Sequence, residues 1–540
     1  MKIQQRLLCF LFLLACTPVI AQKQPKLVVG IVVDQMRYDY LYRYYDKYTD
    51  DGLKKLMTEG FNCRNNHYNY IPTYTGPGHT AIYTGTSPAI NGIAGNDWYN
   101  RYQDEMIYCA EDPTVTSVGS NSNAGKMSPR NLLSSTITDQ LRLASRKQSK
   151  VVGVALKDRG SILPAGHMPT AAYWFDSSNG SFITSTYYLN ELPQWVKKFN
   201  ARKLPKKYLS QDWELLLPIE EYTESTADDK DYENTLSGEE KPVFPHKLKY
   251  SETSYGMIRT VPAGNTLTKD FAIAAIEGEN MGEDDITDFL AVSFSSTDYV
   301  GHGFGPYSIE AEDTYLRFDR DIADLLNYLE KNIGKENVLI FLTADHGAAD
   351  APAFSIEEGL PAGVLDSKEV FDALEPYLKE KLGDEDWILR IANYQIYLNR
   401  VLLAEKNISI DQVFDLTREF LLEKEGVYNV VNLHNLSDAS VPDRYLELIR
   451  NGYNPKRSGD MVVLLEPAWF QGSRKGTTHG SMYNYDTHIP LLWYGFNIPA
   501  GETSRETHIT DIAPTVAQLL HILEPNGSIG YPIQEVTGGD

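Results

Sequence analysis

Six runs of five to eight residues are apolar and rich in β-branched side chains, with little polar interruption. They are Lys26–Val33, Val151–Leu156, Phe289–Phe294, Val338–Leu342, Met461–Leu465 and Ile489–Tyr494. Such runs predict strands buried on both faces, because a strand with one wet face alternates polar and apolar positions. Between them, apolar positions recur three and four apart. That spacing predicts amphipathic helices over Tyr38–Glu59, Ser134–Arg146, Thr266–Glu277 and Ser308–Lys331. Asp511–Leu520 reads as a closing helix with Pro514 in its first turn. Buried strands alternating with helices predict an α/β fold, a mostly parallel central sheet flanked by helices.

Two stretches break this rhythm. Residues about 160–262 are rich in Tyr, Trp, Ser and Pro, with short alternating runs at Ala171–Phe175 and Phe182–Tyr187, and predict a cap beside the sheet. Residues about 353–455 predict a small α+β insertion. Its helices fall near Lys368–Lys381 and Ile410–Glu425 and its strands near Trp387–Leu398 and Val427–Leu433, before the main sheet resumes at Met461. With both insertions, residues 22–540 read as one large domain. Residues 1–21 read as a signal peptide: Lys2 and Arg6, then apolar Leu7 to Ala15, then Val19-Ile20-Ala21. Leu13-Leu14-Ala15-Cys16 offers an alternative, a lipoprotein box that leaves Cys16 lipidated. Ordinary cleavage predicts a periplasmic or secreted protein, the lipoprotein route a lipid-anchored one, and neither a stable membrane span.

The net charge of −23 over 540 residues excludes a nucleic-acid or anionic-membrane binder held by a basic surface. Loss of Lys2 and Arg6 with the leader takes it to −23 − 2 = −25. An anionic substrate must then be attracted locally, by bound metal and a few cations. Cleavage also removes Cys9 and Cys16, leaving Cys63 and Cys109 either to pair or to stay as two buried thiols. Two distant cysteines make no zinc-thiolate site, so any metal falls to His and Asp.

Asp34, Asp298 and Asp345-His346 each follow a predicted buried strand. In open α/β sheets, ligands gather outside the carboxyl ends of the strands. One Asp after a strand is commonly a turn or cap residue; three, two of them with a nearby His, point to a site. Asp298 and His302 are four apart, the spacing that juxtaposes side chains on a helical turn. Asp345 and His346 are followed by Gly347, which lets the chain bend, and His479 stands in a loop of small residues. Three carboxylates and three imidazoles suit two Zn²⁺ ions. His67, His246, His434, His508 and His521 carry no such context and are predicted not to be ligands.

Thr75 opens a predicted helix, Gly78–Tyr83, where backbone N–H groups favour anions. Thr73 and Thr80 compete with it as the functional hydroxyl, and simple helix capping is the bland alternative. Asn96 is either an amide donor or a loop cap. Lys157 and Arg159, two apart at the end of Val151–Leu156, are predicted to project to one side and reach one phosphate, unless they are ordinary surface charges. Two metals and a hydroxyl suggest displacement at a tetrahedral centre, phosphorus above all.

In order and local context these residues resemble the alkaline phosphatase superfamily, in particular its secreted bacterial branch with a threonine nucleophile. The nucleotide pyrophosphatase/phosphodiesterases are broader relatives. The resemblance runs from about Lys26 to the C-terminus. It implies one zinc on Asp298, His302 and His479, and another on Asp34, Asp345, His346 and Thr75. It implies that Thr75 attacks phosphorus, forming a phosphothreonine that water hydrolyses, while Asn96, Lys157 and Arg159 bind the phosphate oxygens. The implied substrates are small phosphate monoesters, and the protein is expected to be monomeric. A phosphodiesterase on the same fold is the alternative, and a non-catalytic phosphate- or metal-binding surface protein a further one. The chain lacks a sulfatase Cys-x-Pro-x-Arg signature and departs from the serine-nucleophile phosphatases, which leaves a third, magnesium or calcium, site open.

Overall fold

A computed structural model describes residues 23–248 and 255–538. The leader expected over 1–21, with Cys16, lies outside the described residues. Ten strands form the central sheet: β1 (Leu27–Val33), β2 (Phe61–Cys63), β3 (Ser117–Val118), β4 (Val151–Ala155), β5 (Ala171–Asp176), β6 (Ser181–Ser185), β7 (Asp288–Phe294), β8 (Val338–Ala344), β9 (Leu491–Gly495) and β10 (Gly501–Thr503). Their order is β10-β2-β9-β8-β1-β7-β4-β5-β6-β3. The centre, β8-β1-β7-β4-β5, is parallel, and β9 and β6 flank it antiparallel. β1, β7 and β8 are buried along their whole lengths, as runs without polar alternation require.

Register aligns the strand ends. Val33 of β1 lies between Phe294 of β7 and Ala344 of β8. Asp34 and Asp345 therefore leave the sheet side by side, and Asp298 follows within one turn of the helix after β7. Four helices serve this edge: α1 (Thr75–Thr84), α2 (Asp158–Ala165), α3 (Ser296–Phe304) and α4 (Ile309–Asn332). Ser308 caps α4 by accepting from Ala311 N at 3.1 Å.

Several expectations need correction. Met461–Leu465 does not resume the central sheet. It joins Ile388–Ala392, Gln395–Leu398 and Val427–Asn432 in a separate four-stranded sheet with its own apolar core around Leu374, Trp387, Val413 and Leu421. Ala171–Asp176 and Ser181–Ser185, read as lying beside the sheet, extend it as β5 and β6. The stretch Tyr38–Glu59 is not one helix but short pieces at Tyr40–Arg43, Tyr45–Lys47 and Leu53–Glu59. Asp319 of α4 ends the continuity by accepting from Thr49 N and Leu53 N, each at 2.7 Å. Its carboxylate presses so close that a Cβ on Gly52 would sit 2.1 Å from Oδ1. Of the two readings left open for Cys63 and Cys109, the structure has free, buried thiols, and burial pushes each up to about 12.

Candidate di-metal active site

Two clusters form at the carboxyl edge of β1, β7 and β8. Asp298, His302 and His479 offer ligand atoms mutually within 4.8 Å, and so do Asp34, Asp345 and His346. The first group comes from α3 and a loop, the second from the ends of β1 and β8. The two clusters adjoin, with the His346 and His479 rings stacked at 3.4 Å between centroids. None of His67, His246, His434, His508 or His521 joins a cluster among the described residues.

All three imidazoles are oriented alike. His302 Nδ1 lies 2.7 Å from the Thr477 carbonyl, His479 Nδ1 2.6 Å from that of Thr73, and His346 Nδ1 3.0 Å from that of Gly347. A carbonyl only accepts, so each Nδ1 carries a proton and each Nε2 is the atom turned into the pocket. Backbone carbonyls commonly hold metal-binding histidines in this way. Burial, followed by His346 and His302, holds His479 well below the usual histidine range, so it is neutral, the ligand form.

The carboxylates fit a metal on independent grounds. Asp34 and Asp345 are completely buried, and Asp34 Oδ1 and Asp345 Oδ2 accept no hydrogen bond. A buried carboxylate oxygen without a partner is costly. Burial, with Asp298 and Asp345 nearby, pushes the Asp34 carboxyl well up. Burial also pushes on Asp298, but His302 and Lys157 outweigh it and hold that carboxyl well below the usual range. Lys157 Nζ stands 2.6 Å from both Asp34 Oδ2 and Asp298 Oδ2. With all three carboxylates ionised, as metal ligands must be, they and one ammonium leave −3 + 1 = −2 in a buried site, an excess that divalent cations relieve.

Thr75 is the first residue of α1, with Oγ1 3.4 Å from His346 Nε2, facing the second cluster. Its competitors are engaged elsewhere: Thr73 Oγ1 donates to Ser481 O at 3.0 Å and Thr80 Oγ1 to Gly76 O at 2.8 Å. Asn96 Oδ1 accepts from Gly76 N at 2.8 Å, which caps the helix one residue after Thr75 and leaves the amide N–H groups unused by the cap. Both readings of Asn96 are thus compatible in one side chain.

Lys157 and Arg159 are not two apart on a strand. β4 ends at Ala155, Lys157 is the N-cap of α2, and Arg159 lies in its first turn. Lys157 therefore turns inward to the carboxylates, while Arg159 Nη1 donates to the Tyr108 hydroxyl at 3.1 Å. Arg159 Nε is buried with no acceptor, a donor left for a ligand. Three supporting residues escaped the sequence reading. Gln35, at φ +65°, donates from its backbone to Asp345 Oδ1 (3.1 Å) and from Nε2 to Asp298 Oδ1 (2.8 Å). Buried His79 bridges the Thr75 carbonyl (2.9 Å) and Ser293 Oγ (2.8 Å). Tyr108 steers Arg159. Only the Gly- and Pro-rich setting of His79 hinted at any of them.

The family model described as type I phosphodiesterase/nucleotide pyrophosphatase matches residues 28–489. The chain is 50% identical over 524 residues to alkaline phosphatase PafA of Elizabethkingia meningoseptica, covering 96% of this chain and 95% of that protein. The chain belongs to this family, in its alkaline phosphatase branch. A Myroides odoratus protein named calcium-transporting ATPase is 52% identical over 520 residues, 95% of each chain. The crystal structure of wild-type PafA superposes with a TM-score of 0.94 at 50% identity, over 96% of this chain and all of that one (100%). The two candidate ligand clusters and Thr75 thus lie within an alkaline phosphatase-like fold.

Proposed function

We propose that this alkaline phosphatase family member hydrolyses phosphate monoesters with two zinc ions and a phosphothreonine at Thr75. Kinship at about half identity along its length makes the chain a phosphoric monoester hydrolase. The observation that carries the finer reading is the pair of three-ligand clusters beside Thr75, with every imidazole Nδ1 tied to a backbone carbonyl. Asp298, His302 and His479 would hold one ion, and Asp34, Asp345, His346 and the Thr75 oxygen the other. Ions bound there would acidify the Thr75 hydroxyl and neutralise the departing oxygen.

The chain's own groups do the rest. Thr75 Oγ1 forms the new P–O bond at the N-terminus of α1, where the helix dipole favours negative charge. The ester oxygen leaves, and water then cleaves the phosphothreonine. Asn96 Nδ2, Lys157 and Arg159 bind non-bridging oxygens, which keep their charge through the transition state. That cationic set matches a dianionic monoester better than a diester, whose second alkoxy group would meet it. The leader-like residues 1–21 support a periplasmic or secreted location. Cation transport, in the name of the Myroides relative, would need a membrane path. No helix among the described residues is long and apolar enough to cross a membrane.

The family description favours one second reading, a phosphodiesterase. Turnover of a monoester and a diester with the same leaving group separates the two. A clear monoester preference is expected, and a diester preference would overturn the monoesterase reading.

A further inference from the structure

Several contacts of the four-stranded insertion converge on the loop that carries Asn96. The hairpin joining Ile388–Ala392 to Gln395–Leu398 turns at Asn393 and Tyr394, with φ +54° and +58°. Asn adopts this region readily; a bulky Tyr does not. Tyr394 is pinned there, its hydroxyl accepting from Gln471 N at 2.9 Å and its carbonyl from Val463 N at 2.8 Å. Backbone held in an unfavourable region clusters at functional sites.

What the turn delivers is Asn393. Its Nδ2 donates to the Asp97 carbonyl at 2.7 Å. A Cβ on Gly95 would come within 2.8 Å of the same nitrogen, so the loop fits Asn393 only with glycine there. Asn96 lies between these two contacts. Its own carbonyl accepts from Cys109 N at 2.8 Å, and its side-chain oxygen from Gly76 N. The insertion also grips the flanks of the loop. Arg101 donates to Asp460 Oδ2 at 2.7 Å and to Ser458 O at 2.9 Å, and the Arg457 guanidinium lies 4.5 Å over Trp98.

We propose that Asn393 is a positioning residue for Asn96, so that the insertion sets the phosphate-binding amide beside Thr75 through the Asp97 carbonyl. This rests on the reading of Asn96 as a phosphate ligand. Asn393 touches no reacting atom, and its effect passes through the peptide it holds.

The test is a double-mutant cycle on the full chain with a monoester substrate, together with inhibition by inorganic phosphate. Asn393→Gly suits the positive φ and removes the donor. It should lower kcat/KM and weaken phosphate inhibition about three- to tenfold, the scale of one neutral hydrogen bond. In an Asn96→Ala background the same change should alter either quantity by less than about twofold. Asn393→Asp keeps the turn but aims an acceptor at the Asp97 carbonyl, and should cost at least as much. Equal losses in both backgrounds would make Asn393 structural, and no loss from Asn393→Gly or Asn393→Asp would make the contact idle. Either result overturns the proposal. If Asn96→Ala alone leaves turnover and phosphate inhibition unchanged, the phosphate role of Asn96 is wrong, and the proposal falls with it.

Discussion

Each cluster histidine has Nδ1 held by a backbone carbonyl and Nε2 turned into its cluster, so removing the imidazole takes one ligand from that cluster. His302 and His479 share a cluster with Asp298 and neither belongs to the other. His302→Ala and His479→Ala are each expected to reduce tightly bound metal by about one ion per chain, leaving the site of Asp34, Asp345 and His346 partly filled. Elemental analysis of the purified variants measures this. Loss of both ions from either variant, or of none, contradicts the two-site assignment. These ligands were legible in the sequence because each carries a local mark: an Asp within a few residues of the end of a buried run, or a His beside Gly. Gln35, Tyr108 and Asn393 carry no such mark. Their contacts reach 263 and 310 positions along the chain for Gln35 and 296 for Asn393, and such pairings exist only once the chain is folded.

At the scale of elements, the turn from β4 into α2 decides where two cations go. A strand would have aimed Lys157 and Arg159 alike. The N-cap instead sends Lys157 to Asp34 and Asp298, and the first helical turn sends Arg159 to Tyr108. Apolar periodicity located β4 but not its last residue, because Leu156 is as apolar as the strand before it. The same limit misplaced Met461–Leu465, since a buried run does not say which sheet it enters. Removing a charged hydrogen bond to phosphate costs ~1.5–3 kcal/mol, or roughly ten- to a hundredfold. Lys157→Ala with Arg159→Ala should therefore lower monoester hydrolysis by at least that factor and diester hydrolysis far less. Comparing kcat/KM on the two ester types checks it, and equal losses would make the pair structural.

Across the whole molecule, the parallel centre of the sheet and its flanking helices follow from unbroken apolar runs and 3.6-residue periodicity, which is why the α/β class was readable. Stability also depends on charges buried between layers. Asp321 of α4 faces Lys269 of the helix Ala263–Glu279 at 3.5 Å and accepts from Thr266 Oγ1 at 3.0 Å. Burial nevertheless pushes its carboxyl up to about 7. Its pKa in the unfolded chain is about 3.9. The folded state thus holds this proton more tightly, and the stabilisation is complete below about pH 4 and lost as pH rises through 7. Asp321→Asn should remove this share of the decline, on the order of a few kcal/mol. Unfolding midpoints of both proteins across pH 4–8, with metal saturating, measure the difference. Parallel curves would show that Asp321 is not the titrating group.

The central claim is that Thr75, beside the cluster of Asp34, Asp345 and His346, is the group that takes the phosphoryl. Acid-quenching the enzyme during turnover of a monoester and locating phosphate by mass spectrometry tests it most directly. Phosphate on Thr75 is the expected result, absent from Thr75→Ala, which should also lose several powers of ten in turnover. Phosphate on Thr73 or Thr80 instead, or full turnover by Thr75→Ala, would contradict the account.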